Sequence, residues 1–416
     1  VRFGKYRTQY YHTLCRLLFL QSEDQDKFNE FMNPLANVLN SLWQQCRANP
    51  QSLRADQYKP ALVGICRDLR GVCQACTSSE PYNLLFEWLV DQPKNPQMSR
   101  VQLFSKALEV WWDDHDVTTP LLKFMAELVN NKNQRIAFEN TSPNGILLFR
   151  EASSILMSYG NNILTKPNES CRDVYREKYK GMGAAWEMYS NALHGGYTNF
   201  GVFELYGDSA LANSMNTALQ MCLSIPVADL AAYMKTLKTY YVFIEHVARS
   251  HQPKMMALKP DQIAEIIAAL EEGLMSFNAS VSMQCCQALD SLIGFFFEQR
   301  NKQTSEGEDV RRFLEQSQSV LVRVLNLMVH LVMTGEFAST WCISRPLLGL
   351  ISLYPDSFVQ TKEATIQKQI PENQQKLRGY FDELMVDVEP SMATKNKDHF
   401  TRQLYHFATV VKSQLK

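Results

Sequence analysis

Glycine and proline are scarce in this sequence, 17 and 16 of 416 residues, so neither a collagen-like repeat nor a flexible linker fits it. An excess of charge of one sign is missing too. Lys plus Arg total 42 against 43 Asp plus Glu, a formal net charge of -1. No global field selects nucleic acid or an anionic membrane, and electrostatic recognition has to reside in local patches. The longest apolar runs, such as Leu17–Leu20 and Ile293–Phe297, fall far short of the roughly 18 residues of a membrane-spanning helix. Ten cysteines are too few for a disulfide framework. Cys66, Cys222, Cys285, Cys286 and Cys342 fall inside apolar helical patterns, the setting of reduced thiols in cytosol or nucleus. Val1 is followed by Arg2, Phe3, Gly4 and Lys5 with no initiator Met or signal peptide, so a fragment is expected.

Motifs of catalysis and nucleotide binding are missing as well. Gly181-Met182-Gly183 runs into Ala184, Ala185 and Trp186, without the third glycine of a dinucleotide fingerprint and without a preceding strand. Gly4-Lys5 lacks the upstream glycine of a phosphate loop. None of the eight histidines has HExxH spacing, and no GxSxG elbow supplies a serine nucleophile. No enzyme and no cofactor are expected.

What the chain has is helical periodicity. From Val320 to Val332, Arg323, Asn326 and His330 form a narrow polar stripe on an otherwise apolar helix. In Ile263–Phe277 the acids Glu265, Glu271 and Glu272 oppose Ile263, Ile266, Ile267, Leu270 and Leu274. Pro60, Pro120, Pro260, Pro346 and Pro371 read as helix starts, where a missing N–H costs nothing. Tyr197–Tyr206 is aromatic-rich but has no partner strand, so it reads as a short helix or tight connection. At 416 residues the chain exceeds a single core, for which the limit is roughly 250–300 residues. About twenty helices grouped in pairs of roughly 40–47 residues match the HEAT and armadillo period. The expectation is an all-α HEAT-repeat α-solenoid over residues 1–416, about nine or ten helix pairs, with loops at 92–100, 166–172 and 301–309.

Three local constellations compete with plain structural roles. Cys73-Gln74-Ala75-Cys76 supplies half a metal site, but no second pair lies nearby, and two buried thiols are expected. Glu109 with Asp113, Asp114 and Asp116 forms an acidic cluster around His115. Its plainest role is a solvated helix end; a divalent-ion site and a contact for a basic partner patch are the alternatives. The basic ends (Arg2, Lys5, Arg7, Arg16; Lys395, Lys397, Arg402, Lys412, Lys416) read as solvated helix faces rather than as a nucleic-acid surface.

A resemblance adds to this. Leu62-Val63-Gly64-Ile65-Cys66-Arg67-Asp68-Leu69-Arg70-Gly71, Leu85-Phe86-Glu87-Trp88, Met125–Asn130 with Gln134-Arg135, Ser142–Glu151 and Tyr159–Leu164 occur in order. Asn199–Asp208, Leu223–Pro226, Arg345–Ile351 and Thr394–Asp398 follow. Collinear over roughly residues 60–410, these strings resemble the C-terminal portion of the exportin-7 type, the Ran-binding protein 16 and 17 group of importin-β-like nuclear transport receptors. The resemblance implies a HEAT solenoid that binds folded protein cargo and Ran-GTP and meets FG-repeat proteins in the nuclear pore. It further implies shuttling between nucleus and cytoplasm, with the main Ran contacts in N-terminal repeats that this chain lacks and with GTP chemistry belonging to Ran. No membrane or nucleic-acid partner is expected. An exportin-4-like receptor and a non-transport helical scaffold are the runners-up.

Overall fold

The computed structural model of the protein describes residues 4, 6–21, 24–90, 99–139 and 142–414. Among them there is no strand. The first helices are α1 (Arg7–Gln21), α2 (Gln25–Ala48), α3 (Lys59–Ala75), α4 (Ser79–Leu89), α5 (Gln102–Trp111), α6 (His115–Leu128) and α7 (Asn144–Ile163). Then come α8 (Lys180–His194), α9 (Gly201–Leu205), α10 (Ala210–Leu223), α11 (Val227–Ala231) and α12 (Met234–Ser250). The remainder are α13 (Gln252–Met256), α14 (Pro260–Leu274), α15 (Ala279–Gln299), α16 (Ser305–Gln316), α17 (Gln318–Thr334), α18 (Thr340–Leu353), α19 (Pro355–Gln367), α20 (Pro371–Leu384) and α21 (Thr394–Gln414). The chain divides into two compact units, residues 1–243 and 244–416.

Each unit is built of two helical layers. In the first, α2, α5, α7 and α10 form one layer and α1, α3, α6 and α8 the other; the second layer continues into the start of α12, where Tyr240 meets Trp186 edge-on at 5.5 Å. In the second unit α14 and α17 lie in one layer and α15, α18 and α21 in the other. An amphipathic helix cannot bury its apolar stripe alone, and stacking on the next pair completes the core. The fold class is therefore the expected all-α, HEAT-type helical repeat.

The repeat step is longer than 40–47 residues. Bonds between successive helices of one layer join residues 61 apart (Arg7–Asp68), 53 apart (Ser105–Ser158) and 57 apart (Ser344–Thr401). One-turn helices and 3-10 turns lie between the long helices.

Helix faces follow the apolar periodicity. Ile263, Ile266, Ile267, Leu270 and Leu274 are all buried in α14, and Arg323, the first residue of the polar stripe on α17, pairs with Glu271 at 2.9 Å. Two of the prolines need correction. Pro60, Pro260 and Pro371 do open helices, but Pro120 and Pro346 lie inside α6 and α18, as Pro34 does inside α2. The carbonyls that Pro34 and Pro120 leave unbonded belong to Glu30 and Asp116, both exposed residues, so water can take the place of the missing donor.

The loop expectations meet the structure unevenly. Of 92–100, only Ser99 and Arg100 are among the described residues; the Arg100 amide donates to the Leu89 carbonyl at 2.9 Å. Residues 166–172 form a tight turn: the buried Lys178 Nζ donates to the Lys166 carbonyl at 2.8 Å, and Glu177 accepts from the Arg172 and Asp173 amides. The 301–309 loop is shorter than expected. Thr304 Oγ1 accepts from the Gly307 amide at 3.1 Å and caps α16, whose first turn carries Glu306 and Glu308, favourable beside a helix N-terminus. Tyr197–Tyr206 holds the one-turn α9, and Gly207 closes it at φ +64, a left-handed conformation suited to glycine.

Candidate functional site

The acidic cluster begins at the end of α5. Asp113 and Asp114 occupy the α5–α6 turn, Asp116 stands in the first turn of α6, and Glu109 lies a turn earlier in α5. Each faces a cation of the same chain. Glu109 Oε1 accepts from Lys106 Nζ at 3.0 Å. Asp113 takes a two-pronged contact from Arg54 at 2.6 and 3.0 Å, and the Arg54 guanidinium also lies 4.5 Å over the Trp111 ring and donates to the Val110 carbonyl at 3.1 Å. Asp114 caps α6, accepting from the Asp116 amide at 2.9 Å, and pairs with Lys59 at 2.6 Å. Asp116 stands between Lys59 at 3.6 Å, Arg176 at 3.5 Å and His115 at 3.3 Å.

The Arg54–Asp113 and Lys59–Asp114 pairs tie neighbouring repeats together, whereas Lys106–Glu109 lies within α5. Burial opposes ionisation of Asp114, but Lys59 and the Asp116 amide outweigh it and hold the carboxyl below its ordinary value. Its contribution is present above the unfolded carboxyl range and is lost as pH falls through the folded value. Arg54 and Lys59, the cations that organise the cluster, escaped the sequence reading because they precede it by a whole repeat. We expect Asp113→Ala to cost about 0.5–1 kcal/mol, read as a small fall in melting midpoint, because the pair is half-exposed.

Cys73 and Cys76 are fully buried at the end of α3, and burial pushes both thiols up. Cys76 Sγ donates to the Val72 and Pro81 carbonyls at 3.3 and 3.4 Å. Among the described residues no group of three or more His, Cys, Asp or Glu side chains has metal-binding geometry. The basic ends are partly engaged: Arg7 pairs with buried Asp68, Arg16 donates to Thr77 Oγ1 at 2.9 Å, and Lys397 meets Asp290 at 2.8 Å. Arg2, Lys5 and Lys416 lie outside the described residues.

One carboxyl stands out in α7. Burial pushes Glu151 up to about 7, against a small opposing pull from Arg150. The folded protein then holds a proton that the unfolded chain has released between pH ~4.5 and ~7, so stability falls as pH rises through that window. Glu151→Gln removes the fall. At pH 8 it is expected to stabilise by about 1–3 kcal/mol, and at pH 4 the two proteins should melt together; a pH series of thermal denaturation checks this.

The comparisons with known proteins bear on the whole chain. It is 35% identical over 419 residues to Exportin-7-B of Xenopus laevis, covering 99% of this chain and 38% of that protein. It is 34% identical over 421 residues to Ran-binding protein 17 of Homo sapiens, with 99% and 38% covered. To Ran-binding protein 16 of Drosophila melanogaster it is 34% identical over 416 residues, with 96% and 37% covered. The matched region is the C-terminal part of each relative, so the chain spans about two fifths of the length of the curated relatives it matches. No family model matches the chain.

Proposed function

From the premise that this chain belongs with the exportin-7 and Ran-binding protein 16/17 group and corresponds to its C-terminal part, we propose that it is the C-terminal segment of a nuclear export receptor. The observation that carries this reading is sequence identity sustained along 99% of the chain to proteins named exportin and Ran-binding protein. The layered helical repeat supports it, since such a fold offers long rows of equivalent helix faces for protein partners.

In this reading the segment is a binding surface and not an enzyme. Its partners are folded protein cargo, Ran-GTP and FG-repeat proteins of the nuclear pore, and the full receptor moves between nucleus and cytoplasm. Each repeat touches only its neighbours, so small rotations accumulate along the chain. Cargo and Ran-GTP that favour the same arrangement bind cooperatively, and hydrolysis on Ran releases both.

Photobleaching tests the shuttling. With the full-length protein carrying a fluorescent tag, bleaching the nuclear pool should be followed by recovery drawn from the cytoplasm within minutes. Retention in one compartment with no exchange would contradict the reading.

A further inference from the structure

The second layer of residues 1–243 presents a row of cations that outnumber the carboxylates beside them, Asp116 and Glu187. Arg70 on α3, Lys123 on α6, Lys180 at the start of α8 and Lys235 at the start of α12 come from four successive helices, and none has a carboxylate within ion-pair distance. They are close enough to feel one another. Burial, and then the like charges of Lys235, Lys180 and Arg70, hold the Lys123 ammonium below its ordinary value.

Between α1, α3, α6 and α8 these side chains open a recess of about 350 Å³. Arg67, Arg70, Lys123, Arg176 and Lys180 line it against the single carboxylate of Asp116, which Lys59 and Arg176 already face. A second, narrower recess shares Lys123 and Lys180, adds Lys235 and holds one carboxylate, Glu187, so the two recesses adjoin along a cation-lined channel at Lys123 and Lys180.

Its walls hold polar atoms with nothing to bind. Thr119 is only 7% exposed, lines the recess, and has no hydrogen-bond partner for Oγ1. Arg70 Nε is likewise buried and unpartnered. His115 Nε2 lies 3.3 Å from Asp116 Oδ1 without hydrogen-bond geometry. Buried polar atoms are ordinarily satisfied, and the three residues that carry these all line the recess that the cations surround. A ligand bearing acceptor oxygens and negative charge would satisfy both deficits.

We propose that this channel is a docking site for an extended acidic peptide segment of a protein partner. Packed helices lie about 8–10 Å apart and an extended chain rises about 3.3 Å per residue. Carboxylates at every third residue would therefore meet Arg70, Lys123, Lys180 and Lys235 in turn. Nucleic acid fits less well: no Phe, Tyr or Trp ring lines the first recess, and Tyr175 in the second is stacked on Tyr233 at 4.2 Å, leaving no free Tyr or Trp platform for bases. The proposal stands on the geometry of the first unit and does not depend on the export reading.

The test is fluorescence anisotropy of a labelled decaglutamate titrated with the full chain at about 150 mM salt. The double variant Lys123→Glu/Lys180→Glu is expected to weaken binding at least tenfold. Lys368→Glu/Lys412→Glu in the second unit, the same change of charge, should leave it within about twofold. Removing like-charge repulsion should keep the melting midpoint of the first variant at or above that of the parent. If that variant melts lower, Lys123→Gln/Lys180→Gln is expected to show the same direction of loss. An equal loss in the second-unit control would overturn the proposal, as would no binding by the unaltered chain at this salt. Displacement of the peptide by an oligothymidylate of equal length at equal concentration would assign the channel to nucleic acid and overturn it too.

Discussion

Arg135→Met is expected to lower the melting midpoint of residues 1–243 by on the order of 10 °C. Arg135 is 3% exposed, and its guanidinium is spent on main-chain carbonyls. Nη1 donates to Cys73 and Cys76 at 2.6 and 3.0 Å, Nε to Asn130 at 2.9 Å, and Nη2 to Glu127, whose carboxylate lies at 3.3 Å. These carbonyls lie at the C-terminal ends of α3 and α6, where helices leave acceptors unsatisfied and where positive charge is favoured. One side chain thus closes two successive helices of the layer, with its plane 5.5 Å over the Tyr82 ring. Methionine fills similar volume but strands two buried and two part-buried carbonyls and takes the cation from the Glu127 carboxylate, a loss of about 3–5 kcal/mol. Lysine is expected not to rescue it, because a point ammonium cannot reach four acceptors in a fork. Thermal denaturation of the full chain, with hydrogen exchange read on α3 and α6 peptides, checks this. A midpoint within about 2 °C of the parent would refute it.

Gly71→Leu is expected to undock α1. Gly71 sits in α3 where the backbone of α1 crosses it: a Cβ there would lie 2.3 Å from the Thr8 carbonyl oxygen and 2.9 Å from the His12 nitrogen. Backbone cannot turn aside as a side chain can, so α1 must move bodily. Overpacking of this kind costs about 1–3 kcal/mol. A further loss follows, because α1 carries Arg7, whose guanidinium donates through Nε to Asp68 at 2.7 Å. Asp68 is 1% exposed, and even with Arg7 in place burial holds its pKa above the ordinary carboxylate value. Without Arg7 that carboxylate is buried and unpaired. Amides of residues 7–21 should then exchange with solvent near the unfolded rate while α6 and α8 stay protected. Unchanged protection of α1 would contradict the packing argument. Gly71→Ala is expected to act in the same direction with a smaller effect.

Both positions belong to strings by which the family is recognisable in the sequence, and the structure explains why they are distinctive. Gly71 permits a helix crossing and Arg135 closes helix ends. Gly145 lets the Tyr197 carbonyl approach to where a Cβ would stand 1.9 Å away, while Tyr197 Oη reaches the Val129 carbonyl at 3.0 Å. These are rules of assembly between repeats rather than marks of a ligand site.

Helix faces were legible because burial imposes a 3.6-residue rhythm on a single helix, as the five buried aliphatic residues of α14 show. Pro120 and Pro346 misled because a proline reads the same at a first turn and at a later helix position; at Pro120 the freed carbonyl belongs to the exposed Asp116. Capping by Thr304 was hidden in a polar stretch that resembled a loop. The cross-repeat features were the least legible. Asp113 with Arg54, Asp114 with Lys59, and the row from Arg70 to Lys235 each join residues a repeat apart, and no local window contains both members. Once the repeat step is known, the recurrence of a basic residue on successive second-layer helices becomes a readable signal.

The most direct test of the export reading is the nucleotide preference of the full-length protein that carries this chain. Binding of immobilised Ran, loaded with a non-hydrolysable GTP analogue or with GDP, should be measured on the same preparation. The GTP form is expected to bind at least tenfold more tightly. Equal affinity for the two forms would contradict a Ran-driven export receptor.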